Sequence, residues 1–215
     1  MIGLLHEKIL RDFENITNLR TSDIDSYNRE LIMSKIDVSA LREHVKRYPM
    51  LHRTYFQVSL SQQKDFKEQF QFIDQNLDLL MDWWHVDQLT QFIYKPLDFA
   101  YAHHLACKYT RSEETFTRRW GYVLFLTGLQ REVEHLDAIW SLLKDDQEYY
   151  VQMAEAWLIC ELVVYHPQKA ILLLEQSKLK YNILGKAIQK INDSYRIDKE
   201  FKEYSKSLRP QLKKN

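Results

Sequence analysis

Six consecutive residues, Asp82-Trp83-Trp84-His85-Val86-Asp87, hold the side chains best suited to chemistry. Successive helix positions point about 100° apart, so two adjacent tryptophans cannot both enter one core. One indole is therefore expected at a surface or cleft. Trp83 and Asp87 are i,i+4, and Trp84 and Asp87 are i,i+3, so either ring can lie beside the carboxylate. An aromatic face next to an anion is a natural receptor for a cation. The competing reading is an amphipathic helix with one packed Trp and Asp82 as its N-cap.

Other candidates are weaker. Trp157 lies in Tyr149–Glu161, on an apolar face with Met153, Ala154 and Cys160, where a core role competes with a site role. Arg118 and Arg119 precede Trp120 in a hydrophobic helix, and form either a surface ion pair or a phosphate clamp. Glu132 and His135 give one E-x-x-H, where a carboxylate-bridged metal site needs two copies and further Glu. His103 and His104 are neighbours and cannot chelate from one helix face. Cys107 and Cys160 sit in apolar helical contexts and read as inert core thiols. No metal and no cofactor is implied.

The elements that position these residues follow from composition. The 215 residues are 45% hydrophobic with zero net formal charge, enough for one sizeable core or two small ones. Only 4 Gly and 4 Pro occur, and no Gly lies between Gly3 and Gly121, which disfavours hairpin-rich sandwiches, barrels and propellers. There is no G-x-G-x-x-G, G-x-x-x-x-G-K, G-x-S-x-G or H-E-x-x-H. Two cysteines cannot build a disulfide framework. The apolar runs Val123–Leu126 and Trp157–Cys160 are far shorter than the ~20 residues of a membrane span. The residues from Met1 to Leu10 do not form a signal peptide. The expectation is an all-α, cytoplasmic, monomeric protein.

Apolar residues recur at helical spacing along the chain. Stripes run Ile2, Leu5, Ile9, Phe13; then Val38, Leu41, Val45; then Phe66, Phe70, Ile73, Leu77, Leu80. Further helices are predicted over Pro96–Lys108, from Ser112 to about Leu129, Tyr149–His166, Pro167–Lys178, Asn182–Ser194 and Lys199–Leu208. Asp23–Ser26 and Ser59–Gln63 read as loops. Thr115–Leu126 aligns on Tyr149–Cys160 at an offset of 34 residues, with Phe116 on Tyr150 and Val123 on Trp157. Such an internal match suggests HEAT-like helix pairs stacked into an α-α superhelix, whose concave face can cradle a long partner. Charge points to that partner. From Lys178 to Asn215 there are 11 Lys/Arg against 4 Asp/Glu, and the remaining residues hold 19 against 26. A basic end on an acidic chain suggests a polyanion contact, the alternative being a solvated helix face and a frayed tail holding Lys213 and Lys214.

Three segments carry a resemblance. Tyr149-Tyr-Val-Gln-Met-Ala-Glu-Ala-Trp-Leu-Ile-Cys-Glu161, Lys186-Ala-Ile-Gln-Lys-Ile-Asn-Asp-Ser-Tyr-Arg196 and Lys199-Glu-Phe-Lys-Glu-Tyr204 resemble the C-terminal part of the AlkD-type DNA alkylation repair family, HEAT-like repeat DNA glycosylases. The resemblance is specific over about 81–209 and faint before it. It implies a single HEAT-like repeat domain over 1–215, with divergent N-terminal helices in 1–80 and a basic tail in 210–215. It also implies excision of cationic N3- and N7-alkylated purines without a deep base pocket, with DNA as the partner. Carried over by position, Asp87 is the catalytic carboxylate, Trp157 is the Trp of the Ala-x-x-Trp helix, and Trp83 or Trp84 is the Trp before the Asp. Arg119 matches an Arg that holds the DNA backbone. Arg118, Lys186, Lys190 and Arg196 join it as expected phosphate contacts.

Two departures bear on activity. The family places an acid after the Trp pair, where this chain has His85, and the segment is one residue shorter; Trp83 keeps the i,i+4 relation to Asp87. In the first third, Asp23–Ser39 stands where the family carries a minor-groove helix followed by a Gly turn and Thr-Pro. It has neither, and Asp23 and Asp25 bring negative charge where minor-groove contact uses Arg, Lys or Asn. The expectation is a missing or reduced DNA-probing helix, weak duplex binding and low or absent excision. A non-catalytic module for damaged, branched or single-stranded DNA, or for a protein, is the alternative.

Overall fold

A computed structural model describes residues 7–9, 11, 20–95 and 97–214. Among these the regular elements are α-helices and short 3-10 turns, with no strand, so the all-α class is the one observed. None of the described helices is long and apolar enough to cross a membrane. The chain forms two compact units, Met1–Lys95 and Pro96–Asn215.

The first unit is built around α3 (Leu51–Ser61), buried at nearly every position. Against it packs α1 (Thr21–Met33), through Ile24, Asn28 and Leu31. A 3-10 turn, Ser39–Leu41, leads into α2 (Arg42–Val45), and Val38, Leu41 and Val45 are buried as their spacing predicts. Then come α4 (Phe66–Asp74) and α5 (Trp83–Asp87). Of the first apolar stripe, Ile9 is buried; Ile2, Leu5 and Phe13 lie outside the described residues.

Polar chemistry moves several boundaries of this unit. Asp23–Ser26 is helix, not loop: Asp23 accepts from the Arg20 backbone N–H at 3.1 Å, an acid in the first turn where the helix dipole favours it. Likewise α3 runs through Ser59 to Ser61, whose hydroxyl donates back to the Val58 carbonyl. The stripe from Phe66 to Leu80 is broken after Asp74. Buried Asn76 accepts there from Arg42 Nε and the Tyr55 hydroxyl, and the chain continues as the 3-10 turn Leu77–Leu79.

The second unit stacks helices in two rows. One row holds α7 (Thr115–Val123), α9 (Tyr149–Tyr165) and α11 (Tyr181–Asp193), each packed on the next. The other supplies α6 (Phe99–Tyr109) against α7, α10 (Pro167–Glu175) against α9, and α12 (Lys199–Ser207) against α11. This is the pairing that the internal match suggests, and the matched Phe116 and Tyr150 rings face each other at 5.6 Å. The short α8 (Leu136–Trp140) precedes α9. The start of α6 is fixed by Asp98, which accepts from the Tyr101 N–H; Pro96 lies outside the described residues. The α7 helix begins at Thr115, later than Ser112, whose hydroxyl instead accepts from the Glu114 N–H. At the C-terminus Arg209–Leu212 forms a last helical turn, α13, with Leu212 buried and Lys213 over the Tyr181 ring.

Within α9, Glu155 is fully buried and accepts from the Lys144 backbone N–H at 2.7 Å. Burial raises its carboxyl from 4.5 to about 8, which the Lys144 N–H partly offsets. The folded protein therefore holds a proton that the unfolded chain releases, and stability falls as pH rises from 4.5 towards about 8. Glu155→Gln keeps an acceptor for Lys144 and removes the titration. Thermal melting from pH 5 to 8.5 should show a flatter decline in the variant, with a gain on the order of 2 kcal/mol at the alkaline end.

Candidate DNA-contacting faces

The turn that carries Asp87 has two sides. Asp82 caps it, accepting from the Trp83 N–H at 2.7 Å. His85, Val86, Gln88 and Leu89 point into the core, leaving Trp83, Trp84 and Asp87 on the outer side. Trp83 is 46% exposed, the larger of the two indole surfaces offered to solvent, and keeps the i,i+4 relation to half-buried Asp87. Trp84 packs its ring edge-on against His85 at 4.1 Å and His52 at 5.9 Å. The outer side of this turn therefore carries Trp83, Trp84 and Asp87, with Trp83 the most exposed of the three. The Asp87 carbonyl accepts from the Thr90 hydroxyl, which secures the turn at its C-terminal end.

His85 is a core residue. Its ring stacks on His52 with centroids 3.9 Å apart and planes within 5°, and His52 stacks in turn on Phe56. His85 Nδ1 accepts from the Met81 N–H. Gln88 Nε2 lies 2.6 Å from His52 Nδ1; an amide nitrogen only donates, so that imidazole nitrogen is the acceptor. Burial holds both rings neutral, lowering His85 from 6.5 to about 4, with the Asp82 carboxylate and Leu79 backbone opposing the shift; His52 is also lowered by the neighbouring His85. The unfolded chain takes up protons that these rings refuse, so stability is intact above pH 6.5 and is lost as pH falls towards about 4. Urea midpoints measured from pH 7 to 4.5 should fall, and the slope should shrink in His85→Leu.

In the second unit, α9 is buried on most of its circumference. Tyr149, Met153 and Trp157, at i, i+4 and i+8, form its partly open strip. Lys186 of α11 reaches over the Tyr149 ring at 4.7 Å, and Lys190 follows one turn later, half-buried. Trp157 is half-buried, between the core and site readings. Tyr149 and Tyr150, both exposed, add aromatic surface that sequence reading did not single out as a site. This face thus combines exposed aromatic rings with lysines, suited to sugar and phosphate contact.

The arginines are more occupied than expected. Arg118 pairs with Asp146 at 2.7 Å and donates to the Ser112 and Glu113 carbonyls, so it fastens the loops before α7 and α9 instead of standing ready for phosphate. Arg119 is 5% exposed and donates to the Tyr150 carbonyl at 2.6 Å. Arg196 pairs with Glu161. His135, of the single E-x-x-H, lies 2.9 Å from the Leu129 carbonyl and stacks on Phe99 at 3.7 Å. Among the described residues no group of three or more His, Cys, Asp or Glu gathers as metal ligands. Cys107 and Cys160 are free thiols, and burial pushes Cys160 up to about 11.

Paired helices stacked on one another define a helical-repeat protein. The family model described as DNA alkylation repair enzyme matches residues 37–191, and the chain belongs to that family. The match begins well before residue 81 and leaves α1 outside it. No curated protein and no solved structure matches the chain.

Proposed function

We propose that the protein is a slow DNA glycosylase for cationic N3- and N7-alkylpurines, acting as a cytoplasmic monomer. The observation that carries this reading is the outer side of the α5 turn, where exposed Trp83 stands one helical turn from Asp87 in a chain of the DNA alkylation repair family. An alkylated purine already carries positive charge. When its N-glycosidic bond breaks, the bonding electron pair leaves with the base, which departs neutral without a general acid. Positive charge then develops on the sugar. The Asp87 carboxylate stabilises that charge and orients a water to C1′, accepting the proton the water loses. The Trp83 face favours the same cationic sugar by about 0.5–2 kcal/mol. Trp157, Lys186 and Lys190 contact the DNA, the lysines by phosphate neutralisation.

Slowness follows from the occupied arginines. Arg118, Arg119 and Arg196 each spend donors inside the protein, so fewer cations remain to grip a duplex. The exposed Tyr149 and Tyr150 rings beside Lys186 favour a second reading, a binding module without chemistry for damaged, branched or single-stranded DNA. Incubation of duplex DNA methylated at purine N7, with chromatographic detection of free base, separates the two: base release supports the glycosylase, and none overturns it. Under either reading, Lys186→Ala and Lys190→Ala should each lower the salt dependence of DNA affinity by a slope of about 1.

A further inference from the structure

The first unit contains a buried arginine that the proposed chemistry does not use. Arg53, on α3, is 7% exposed. Its Nε and Nη2 donate to the two carboxylate oxygens of Asp25 on α1, at 2.7 and 2.9 Å. Its Nη1 donates to Gln88 Oε1 and its Nη2 to Gln91 Oε1, both at 3.2 Å. The Phe92 ring lies 5.0 Å from its Cζ. Gln88 directly follows Asp87, and its other end donates to His52, the partner of His85 in the ring stack. One planar guanidinium thus joins α1, the central helix and the stretch that follows Asp87. The fork geometry matters, because a lysine in its place presents a point charge that can satisfy fewer of these acceptors at once.

We propose that Arg53 is a positioning residue for the Asp87 turn, coupling its orientation to α1 through Asp25. The proposal rests on the reading of Asp87 as the reacting carboxylate. It also gives Asp25 a role other than repelling DNA, since its charge is met by the Arg53 fork. Because Gln88 is held at both ends, the turn before it has a fixed register on the core, and loosening the fork frees the Asp87 side of the turn first.

The test uses the full chain carrying Arg53→Lys, with Asp25→Ala as the second variant should the first not fold; Asp25 is partly exposed, and its loss removes the two bonds that anchor the fork on α1 and hold its plane against Gln88 and Gln91. Amide hydrogen exchange across 88–92 is expected to accelerate about tenfold, the cost of one charge-assisted hydrogen bond, while α4 amides keep their protection. Alkylpurine excision is expected to lose about tenfold in kcat with KM unchanged, as for an interaction used only in the transition state. Unchanged exchange across 88–92 overturns the coupling whether or not the protein excises. Accelerated exchange with an undiminished kcat overturns the link to the reaction. Accelerated exchange in the variant, where the wild type itself releases no base, supports the coupling and defeats the glycosylase reading alone.

Discussion

Asp87→Asn is expected to lower alkylpurine excision by about 100-fold or more, the scale of losing one preorganised electrostatic partner to a developing charge. The substitution removes the negative charge and leaves the shape. Asn cannot balance the cationic sugar, and it is a poor acceptor for the proton of an attacking water. The fold should tolerate it, because Asp87 is only half-buried and the turn is capped by Asp82 and closed by the bond from Thr90 to the Asp87 carbonyl. Single-turnover kinetics with melting temperatures on the same samples check both halves: the rate falls and the melting temperature stays. Trp83→Ala should cost less, about tenfold, since it removes a cation–π contact from an exposed ring. A larger effect from Trp84→Ala than from Trp83→Ala, with stability unchanged, would reassign the reacting face.

The second large effect is on stability. A Cβ built on Gly121 meets Thr110 Cγ2 at 2.7 Å, the Thr110 backbone N at 3.0 Å and Tyr109 Cβ at 3.2 Å. These atoms belong to the last residue of α6 and the Thr110 that caps it, so the side-chain-free position lets α7 approach them closely. The nearest is the methyl of buried, β-branched Thr110, and behind it the Thr110 backbone and the Tyr109 Cβ cannot rotate away as the end of a long side chain can. Gly121→Ala is therefore expected to destabilise by about 1–3 kcal/mol through overpacking, outweighing a helix-propensity gain of at most about 1 kcal/mol. Gly185→Ala is the control. Its Cβ meets the ring of Tyr181 at 3.2 Å, a side chain that can give way, so the propensity gain should leave it neutral or stabilised. Thermal melting of the two variants should move in different directions. Equal losses would mean that α6 and α7 do not depend on this close approach.

What the sequence disclosed, and what it hid, divides by the range of the interaction. The helices of the second unit are legible because their signals are local: the acidic run Asp145–Glu148 before α9, Pro167 opening α10, and stripes with period near 3.6. That one of the two adjacent tryptophans stays at the surface follows from helical geometry alone, and Trp83 is the exposed one. Hidden features depend on distant partners. Asp23 and Asp25 look like loop residues until Arg20 and Arg53 are placed beside them. Asn76 ends the Phe66 stripe because Arg42 and Tyr55 wait for its oxygen. His85 reads as a polar change at a site, yet His52, far away in sequence, draws it into the core. The arginines mislead for the same reason: residue type announces a cation, while Asp146, Glu161 and the Tyr150 carbonyl decide what it grips.

The most direct measurement is the rate at which the wild-type protein, in excess, releases free 7-methylguanine from a duplex carrying one such base at a defined position. Release faster than spontaneous loss from the same duplex, and abolished in Asp87→Asn, is the result this account predicts. Release no faster than in buffer, with stable binding to that duplex, would contradict it and leave a repair-family scaffold that binds DNA without cutting the glycosidic bond.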